Sequence, residues 1–159
     1  MKLIFRGHDD RYAIEQSLLA FFPEERPVYE RAEAGEDDCA YVSLTEGKRY
    51  ATGVTSIHYH GKTARGVSRA VLTDAPDEYE RERLRQRALK LSFFKAARDI
   101  TGVTPSWGAL TGIRPGKLAR AMLEQGKTER ETDRVLRDTY FVSPERRRLA
   151  IETARAGLK

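Results

Sequence analysis

The first third of the chain places short apolar runs between polar turns. Apolar residues fill positions 2–5, which predicts a strand, and they recur at helical spacing over positions 12–22, which predicts a helix. Asp9 or Asp10 suits the N-cap of this helix, and Pro23 stops it. The chain is therefore expected to open with a strand followed by a helix.

Strand-like patterns continue through the next fifty residues. Positions 27–29 suit the start of one strand, and alternating apolar and polar residues predict strands over 39–44, 50–59 and 64–72. The Gly-Lys pair at 61–62 is a tight turn of the hairpin type. The order β–α–β–β–β predicts an α+β fold, in which a small antiparallel or mixed sheet carries a helix on one face.

A break at residues 73–77, Thr-Asp-Ala-Pro-Asp, marks the predicted domain boundary. It divides the chain into an α+β sheet subdomain over residues 1–76 and a helical subdomain over residues 77–159. A broad apolar stripe predicts one long helix over residues 78–101, which Gly102 ends.

Three shorter helices with locally encoded ends are predicted after the long one. Pro115 suits the first turn of the first, and residues 128–131 form a capping box before the second. Ser143 is an N-cap followed by Pro144 at the first helical position. The three predicted helices cover residues 115–125, 129–138 and 144–157.

The composition fits a folded protein without membrane segments. Hydrophobic residues make up 40% of the 159 residues, which is enough to build a core. No run reaches the ~18 consecutive apolar residues of a membrane-spanning helix. The apolar run at the amino terminus is also too short for a signal peptide. We therefore expect a cytoplasmic protein with no membrane partner.

Cys39 is the single cysteine of the chain and lies within an apolar alternation. One cysteine excludes an internal disulfide and a CxxC metal site, and an iron–sulfur cluster normally requires several thiolates. We therefore predict that Cys39 is a small core residue and that this chain holds no cofactor by itself.

Charge is unevenly distributed along the chain. Residues 1–76 carry 10 Lys and Arg against 12 Asp and Glu, whereas residues 77–159 carry 19 against 12. A basic second half favours an anionic partner: phosphate, nucleic acid, a carboxylate-rich ligand or an acidic neighbouring domain. Many of its arginines alternate with glutamates, as in residues 78–85, which favours a solvated helix face.

Residues 112–117, Gly-Ile-Arg-Pro-Gly-Lys, look like a phosphate-binding loop but do not match its spacing. Three residues separate the first glycine from the Gly-Lys pair instead of four, and leucine follows instead of Ser or Thr. Glycines before a helix still expose backbone N–H groups to an anion, and Arg114 and Lys117 would add charged donors. The alternative is a tight packing loop whose cations face water.

His58 and His60 lie two positions apart on a predicted strand, which would place them on one face. A zinc site needs three or four ligands, and the other candidates, His8, Cys39 and scattered carboxylates, do not complete one by their spacing. We therefore predict no metal site. Residues 8–10, His-Asp-Asp, are interpreted as a turn and capping sequence.

The predicted helices at 115–125 and 129–138 are spaced like a helix-turn-helix. The second helix carries Arg130, Arg134 and Arg137, which would meet phosphates. Four carboxylates on the same helix would repel phosphates, so a plain helical hairpin is favoured. A stand-alone nucleic-acid-binding module built on the helical segment is the alternative function.

One stretch of the sequence resembles a known protein family, beyond what its hydrophobic pattern and its charges indicate. Residues 107–117, Trp-Gly-Ala-Leu-Thr-Gly-Ile-Arg-Pro-Gly-Lys, are followed by a predicted helix and by Tyr-Phe-Val-Ser at 140–143. In this order they resemble oxygen-independent coproporphyrinogen III dehydrogenases of the HemZ type, where such a phrase lies just upstream of a radical S-adenosylmethionine (SAM) domain. The match is most specific over residues 107–143. It extends more loosely to the FRGHD-like opening and to the FFPE after the first helix.

This resemblance implies an oxidoreductase of porphyrin and haem biosynthesis. Family members oxidise two propionates of coproporphyrinogen III to vinyl groups, with SAM and an iron–sulfur cluster held by a CxxxCxxC motif. That motif is absent from residues 1–159 and is expected beyond Lys159. The chain is thus expected to be an accessory amino-terminal region, inactive alone. Its implied partners are the missing radical SAM domain of the same polypeptide and an anionic porphyrinogen substrate, and nucleic acid is disfavoured.

No catalytic residue carries over from the family to this chain. Five residues match the shared phrase, and we predict a contact to an anion or to the catalytic barrel for them, with a structural joint as the favoured role. They are Thr111, Gly112, Arg114, Pro115 and Lys117.

Overall fold

The computed structural model describes residues 1–29, 38–110 and 114–158. The chain forms two compact units, Met1–Val103 and Thr104–Lys159. This division follows the long helix, whereas the predicted boundary between residues 76 and 77 precedes it.

The first unit contains a four-stranded sheet and a crossover helix. The elements are β1 (Lys2–Arg6), α1 (Arg11–Phe21), β2 (Cys39–Glu46), β3 (Tyr50–Tyr59) and β4 (Lys62–Val71). The strand order is β1-β2-β3-β4, with β1 parallel to β2 and the other two pairs antiparallel. The predicted α+β class, the β–α–β–β–β order and the mixed type of sheet are therefore confirmed.

The segment at 27–29 does not add a strand. Val28 makes an isolated parallel bridge with Lys2: its N–H donates to the Met1 carbonyl oxygen at 3.1 Å, and its carbonyl oxygen accepts from the Leu3 N–H at 2.9 Å. Residues 30–37, into which the predicted strand would continue, lie outside the described residues.

The long helix α2 (Glu78–Thr101) lies against β3 and β4 at very short distances. At Gly66 a Cβ atom would stand 2.2 Å from the carbonyl oxygen of Ser92, and at Gly53 it would stand 2.6 Å from that of Ala88. These glycines let the strands approach the helix backbone where any side chain would collide. Because α2 builds its core with the sheet, it belongs to the first unit.

The core of the first unit lies between the sheet and its two helices. Ile14 of α1 and Phe93 of α2 pack with Val42 and Ile57 of the sheet. Burial of such side chains contributes about 1.5–3 kcal/mol each. Both helices therefore cover the same face of the sheet. Cys39 is buried, as predicted.

The second unit consists of three helices: α3 (Pro115–Glu124), α4 (Glu129–Asp138) and α5 (Pro144–Gly157). The predicted bounds agree with these to within one residue. The Glu131 N–H donates to the Thr128 hydroxyl at 3.1 Å, and the Arg146 N–H donates to that of Ser143 at 3.4 Å, so both predicted caps form. Among the residues described, no helix is both long and apolar enough to cross a bilayer.

Candidate functional site

The two parts of the shared phrase lie against each other in the second unit. The Ala109 N–H donates to the Tyr140 carbonyl oxygen at 2.7 Å, and the Ser143 N–H donates to that of Ser106 at 2.9 Å. We call this contact, between residues 106–110 and 140–143, the motif joint. It fastens two backbone segments that α3 and α4 separate in sequence.

Gly108 occupies the tightest point of the motif joint. Its φ is +60°, and a Cβ atom there would stand 2.0 Å from the Tyr140 carbonyl oxygen and 2.5 Å from the Phe141 carbonyl carbon. Phe141 itself has a φ of +56°, which is uncommon for a residue with a side chain. Glycine is therefore required here both by conformation and by space.

Trp107 closes the motif joint over the core of the second unit. Its ring is partly buried against the cluster that includes Leu136 and Val142. The guanidinium of Arg146 lies 5.3 Å from the ring centroid, within the range of a cation–π contact. The Trp107 side chain thus serves packing within the second unit, whereas the predicted joint with a catalytic barrel stays a prediction.

The predicted anion contact is described only in part. Thr111 and Gly112 lie outside the described residues. Arg114 is the N-cap of α3 with an extended backbone, and Pro115 is the first helical residue. The structure brings both together with Lys117 in the first turn, and the side chains of Arg114 and Lys117 are exposed to solvent.

Close packing fixes the first turn of α3. A Cβ atom at Gly116 would lie 3.1 Å from the Thr153 methyl group of α5, so this turn sits directly on α5. The two cations are therefore presented by a rigid turn at the start of a helix, where partial positive charge favours an anion. The anion contact itself stays a prediction.

Ion pairs hold α4 on α5. The Arg147 guanidinium donates to Asp133 at 2.8 Å, and the Arg155 guanidinium grips both carboxylate oxygens of Glu129 at 2.6 Å. The hydrogen bonds from Arg155 lower the pKa of Glu129 below its ordinary value. Two of the carboxylates that argued against phosphate binding by α4 are thus used within the unit.

The helix-turn-helix alternative gains no specific contact from this arrangement. Arg130, Arg134 and Arg137 are exposed on α4, but Arg137 donates to the neighbouring Asp138 at 2.8 Å. The hydrogen bond lowers the pKa of Asp138, which keeps a carboxylate charge beside the arginine. The exposed surface of α4 is therefore mixed in charge, and the alternative stays a prediction.

His58 and His60 do not share a strand face, contrary to the prediction from their spacing. β3 ends at Tyr59, and His60 turns away with a φ of +48° while its ring stacks on Tyr59 at 4.0 Å. His58 instead bonds through Nδ1 to the Thr63 hydroxyl at 3.0 Å. Within the described ranges, no three His, Cys, Asp or Glu side chains are grouped so that they could hold a metal ion.

The turn before α1 is organised by His8. Its Nε2 donates to the Val42 carbonyl oxygen at 2.9 Å, and its Nδ1 accepts the Asp10 N–H at 3.1 Å. Asp10 occupies the N-cap position of α1, as predicted, although its carboxylate makes no capping hydrogen bond. The imidazole is thus a turn and packing residue.

Sequence reasoning missed one surface, which we call the open face of the sheet. It consists of the even-numbered residues of β1 and β3 and the odd-numbered residues of β2 and β4, opposite α1 and α2. Tyr50, Val67 and Val71 are exposed on this face, whereas Cys39 of β2 is buried on it. Sorting the strand residues by parity would have revealed it, because successive strand residues point to opposite faces.

A curated protein resembles this chain. The oxygen-independent coproporphyrinogen-III oxidase-like protein HemZ of Bacillus subtilis (strain 168) is 31% identical over 142 residues. The alignment covers 87% of this chain and 28% of HemZ, so the chain spans little more than a quarter of that relative.

Two other comparisons are negative. No family model matches the chain. No solved structure matches it either. The similarity to HemZ confirms the resemblance inferred from the sequence: this chain is similar to the amino-terminal region of an oxygen-independent coproporphyrinogen-III oxidase-like protein of the HemZ type.

Proposed function

We propose that this chain is the accessory, non-catalytic amino-terminal region of a radical SAM oxidoreductase that acts on coproporphyrinogen III or a related porphyrinogen. The similarity to HemZ supports the family relation. The activity, the SAM and iron–sulfur cofactors of the whole enzyme, and a cytoplasmic location are parts of the proposal.

The cysteine inventory supports a division of labour between this chain and a catalytic domain. A CxxxCxxC cluster needs three thiolates, whereas the chain has one cysteine. That cysteine, Cys39, is buried in β2, and pairs there with His58 of β3 and Lys2 of β1. Cluster chemistry must therefore come from another part of the enzyme.

The motif joint is the observation that carries the proposal. The phrase shared with the family is used for backbone fastening and for burial of Trp107, and none of its described residues forms a set of acid, base and nucleophile. The joint fixes the backbone on either side of α3 and α4, and in this proposal it holds the adjoining catalytic domain in place. The exposed Arg114 and Lys117 next to the joint are then available to the catalytic barrel or to a substrate propionate.

The coding DNA beyond the codon for Lys159 tests this proposal. We expect an open frame that contains CxxxCxxC, or a separate radical SAM gene next to this one. A stop codon at that point without any radical SAM gene nearby would contradict the proposal.

A further inference from the structure

Strand β4 forms one edge of the sheet in the first unit. Among the described residues β3 is its one strand neighbour, and α2 covers its even-numbered side chains. The strand is 10 residues long, contains no proline, and keeps an unbroken register with β3 from Lys62 to Val71. Proteins usually shorten, bend or interrupt such edges, because a long regular edge is a template for another strand. The edge of β4 is therefore suited to receive one.

The hydrogen-bond alternation of an antiparallel pair shows which backbone groups of β4 point outward. The Leu72 N–H donates to the Arg49 carbonyl oxygen at 2.7 Å, in register with the β3–β4 ladder, so the even-numbered residues of β4 bond to β3. Within the described parts of the chain, no backbone group pairs with the outer side of β4. Its outward N–H and carbonyl groups belong to the odd-numbered residues, Thr63, Arg65, Val67, Arg69 and Val71.

One side chain already uses this row of backbone groups. The Lys95 ammonium group of α2 donates to the Val67 carbonyl oxygen at 3.0 Å, in an exposed hydrogen bond. The middle of the edge thus accepts a hydrogen bond from a donor that is free to exchange it with water or with an N–H group. An incoming strand would replace the ammonium group of Lys95 at this carbonyl.

Charged and apolar side chains alternate along the outward positions of β4. Arg65 and Arg69 are exposed and alternate with Val67 and Val71, which are 40% and 47% exposed. The Arg69 guanidinium lies 5.5 Å from the ring centroid of Tyr50. Neither β3 nor β4 contains Asp or Glu, and among the described residues neither arginine has a carboxylate partner. The two cations are therefore available to a neighbour across the edge.

An added strand would supply both the backbone partners and the charges that this edge lacks, because opposite charges on adjacent strands attract each other. We propose that the edge of β4 binds an extended acidic segment of a partner protein, with carboxylates beside Arg65 and Arg69 and apolar side chains beside Val67 and Val71. This surface is separate from the first turn of α3 and goes beyond the proposed function.

Two other occupants fit the edge less well. Antiparallel pairing of two copies centred on Val67 would place Arg65 directly opposite Arg69 of the copy, and like charges in opposed positions are destabilising. A nucleic acid would use the arginines but would leave the outward row of backbone donors and acceptors without strand partners.

Fluorescence anisotropy with the intact chain and a labelled 10-residue peptide, as long as β4, tests the charges. In the peptide, threonine alternates with glutamate and valine in turn. We expect Arg65→Glu combined with Arg69→Glu to weaken binding roughly tenfold or more. A peptide with lysine in place of glutamate should bind this double variant more tightly than the unchanged chain. Arg130→Glu combined with Arg134→Glu, at exposed positions of α4, is the control with the same change in net charge and should leave binding unchanged.

Backbone methylation of the peptide tests strand addition itself. Methyl groups on the glutamate and valine nitrogens block antiparallel addition, and those on the threonine nitrogens block parallel addition. One of the two methylated peptides should lose binding roughly tenfold and the other should retain it, because only one edge of the peptide meets β4. Val67→Pro removes an outward N–H without removing a bond to β3, so it should also weaken binding. Thermal unfolding followed by circular dichroism verifies that each variant is folded, and the methylated peptides need no variant.

Several results would overturn the proposal. They are absent peptide binding, full binding of both methylated peptides, and binding that the two arginine reversals leave unchanged. A dimer in sedimentation velocity that Val67→Pro dissociates would assign the edge to a second copy of the chain. An oligouridylate of equal charge that binds more tightly than the peptide, and that the same reversals release, would assign the arginines to nucleic acid. None of these results bears on the coding DNA beyond Lys159, so the proposed function stands or fails separately.

Discussion

Gly108 shows how a single residue can define the second unit. Its Cβ position is occupied by the Tyr140 carbonyl oxygen at 2.0 Å, whereas nothing lies within 4 Å of the Cβ position of Gly126. Both residues have a positive φ, +60° and +94°. Alanine substitutions at the two positions therefore compare the cost of a positive φ alone with the cost of a positive φ combined with steric overlap.

We predict that Gly108→Ala destabilises the second unit by at least about 3 kcal/mol, because backbone must move away from backbone. Gly126→Ala should cost only about 1 kcal/mol, the penalty of a positive φ. Urea unfolding followed by Trp107 fluorescence reports on this unit, since Trp107 is the single tryptophan and packs in its core. Equal losses in the two variants would contradict the geometry of the motif joint.

Arg114 and Lys117, unlike Gly108, should contribute little to the stability of the second unit. Because both side chains are exposed, Arg114→Ala and Lys117→Ala are predicted to change the free energy of unfolding by less than about 0.5 kcal/mol. In the whole enzyme the same changes should raise the KM for an anionic substrate or weaken the contact with the catalytic domain. Arg120→Ala, on the same helix but paired with Glu124, is the control. Unchanged kinetics and assembly in both variants would refute the predicted contact.

Among the elements, α2 and the sheet depend on each other through glycine. Gly66→Ala is predicted to destabilise the first unit by about 3 kcal/mol or more, because its Cβ would lie 2.2 Å from the Ser92 carbonyl oxygen. Gly47→Ala, with nothing within 4 Å, is the control and should change stability little. Thermal unfolding measured by circular dichroism compares them. A mild effect at Gly66 would mean that α2 does not pack this closely.

The start of α2 is tied to the end of β2 by Glu46, whose pKa is lowered mainly by the hydrogen bond from Arg85. A folded-state pKa below the unfolded value stabilises the fold above the ordinary value of about 4.3, and the gain disappears as pH falls below it. Glu46→Gln should therefore reduce stability at pH 7 by up to about 1 kcal/mol, since the pair is near the surface. The difference should shrink as the pH falls through the lowered pKa of Glu46, and it should be smaller in an Arg85→Met background, where Arg81 still bonds to Glu46 at 3.2 Å. Urea unfolding at several pH values measures it, and a pH-independent difference would contradict the ion pair.

The elements with local end signals could be predicted closely from the sequence. Thr128 and Ser143 cap their helices through their own hydroxyls, and Gly102 ends α2 in the left-handed conformation, so each bound is encoded within one turn. The domain boundary could not be located this way, because the place of α2 depends on its approach to Gly53 and Gly66. The predicted start of a strand at 27–29 is described only as a bridge of Val28 with Lys2, because the residues that would continue it lie outside the described ranges.

The residues of the motif joint could be recognised in the sequence, but the contact between its two segments could not be predicted from it. The sequence places Gly108 and Tyr140 far apart, and only folding of α3 and α4 brings their backbones together. The open face escaped notice because net charge over residues 1–76 averages its cations with carboxylates located elsewhere. The sheet face on which each charged residue lies, rather than the composition of residues 1–76, shows where the cations are.

The whole molecule resembles the amino-terminal region of HemZ and presents a cationic surface for which a role outside its own fold is proposed. The first turn of α3 carries Arg114 and Lys117, both exposed, beside the motif joint. This surface is proposed to serve a catalytic domain.

We propose above that this chain works as part of an iron–sulfur enzyme. The most direct measurement is to tag the chromosomal gene at its amino-terminal end, purify the product without oxygen, and determine its mass and its iron and sulfide content. We expect a polypeptide considerably longer than 159 residues, or a stoichiometric partner, that contains an iron–sulfur cluster. An iron-free protein of 159 residues with no such partner would contradict it.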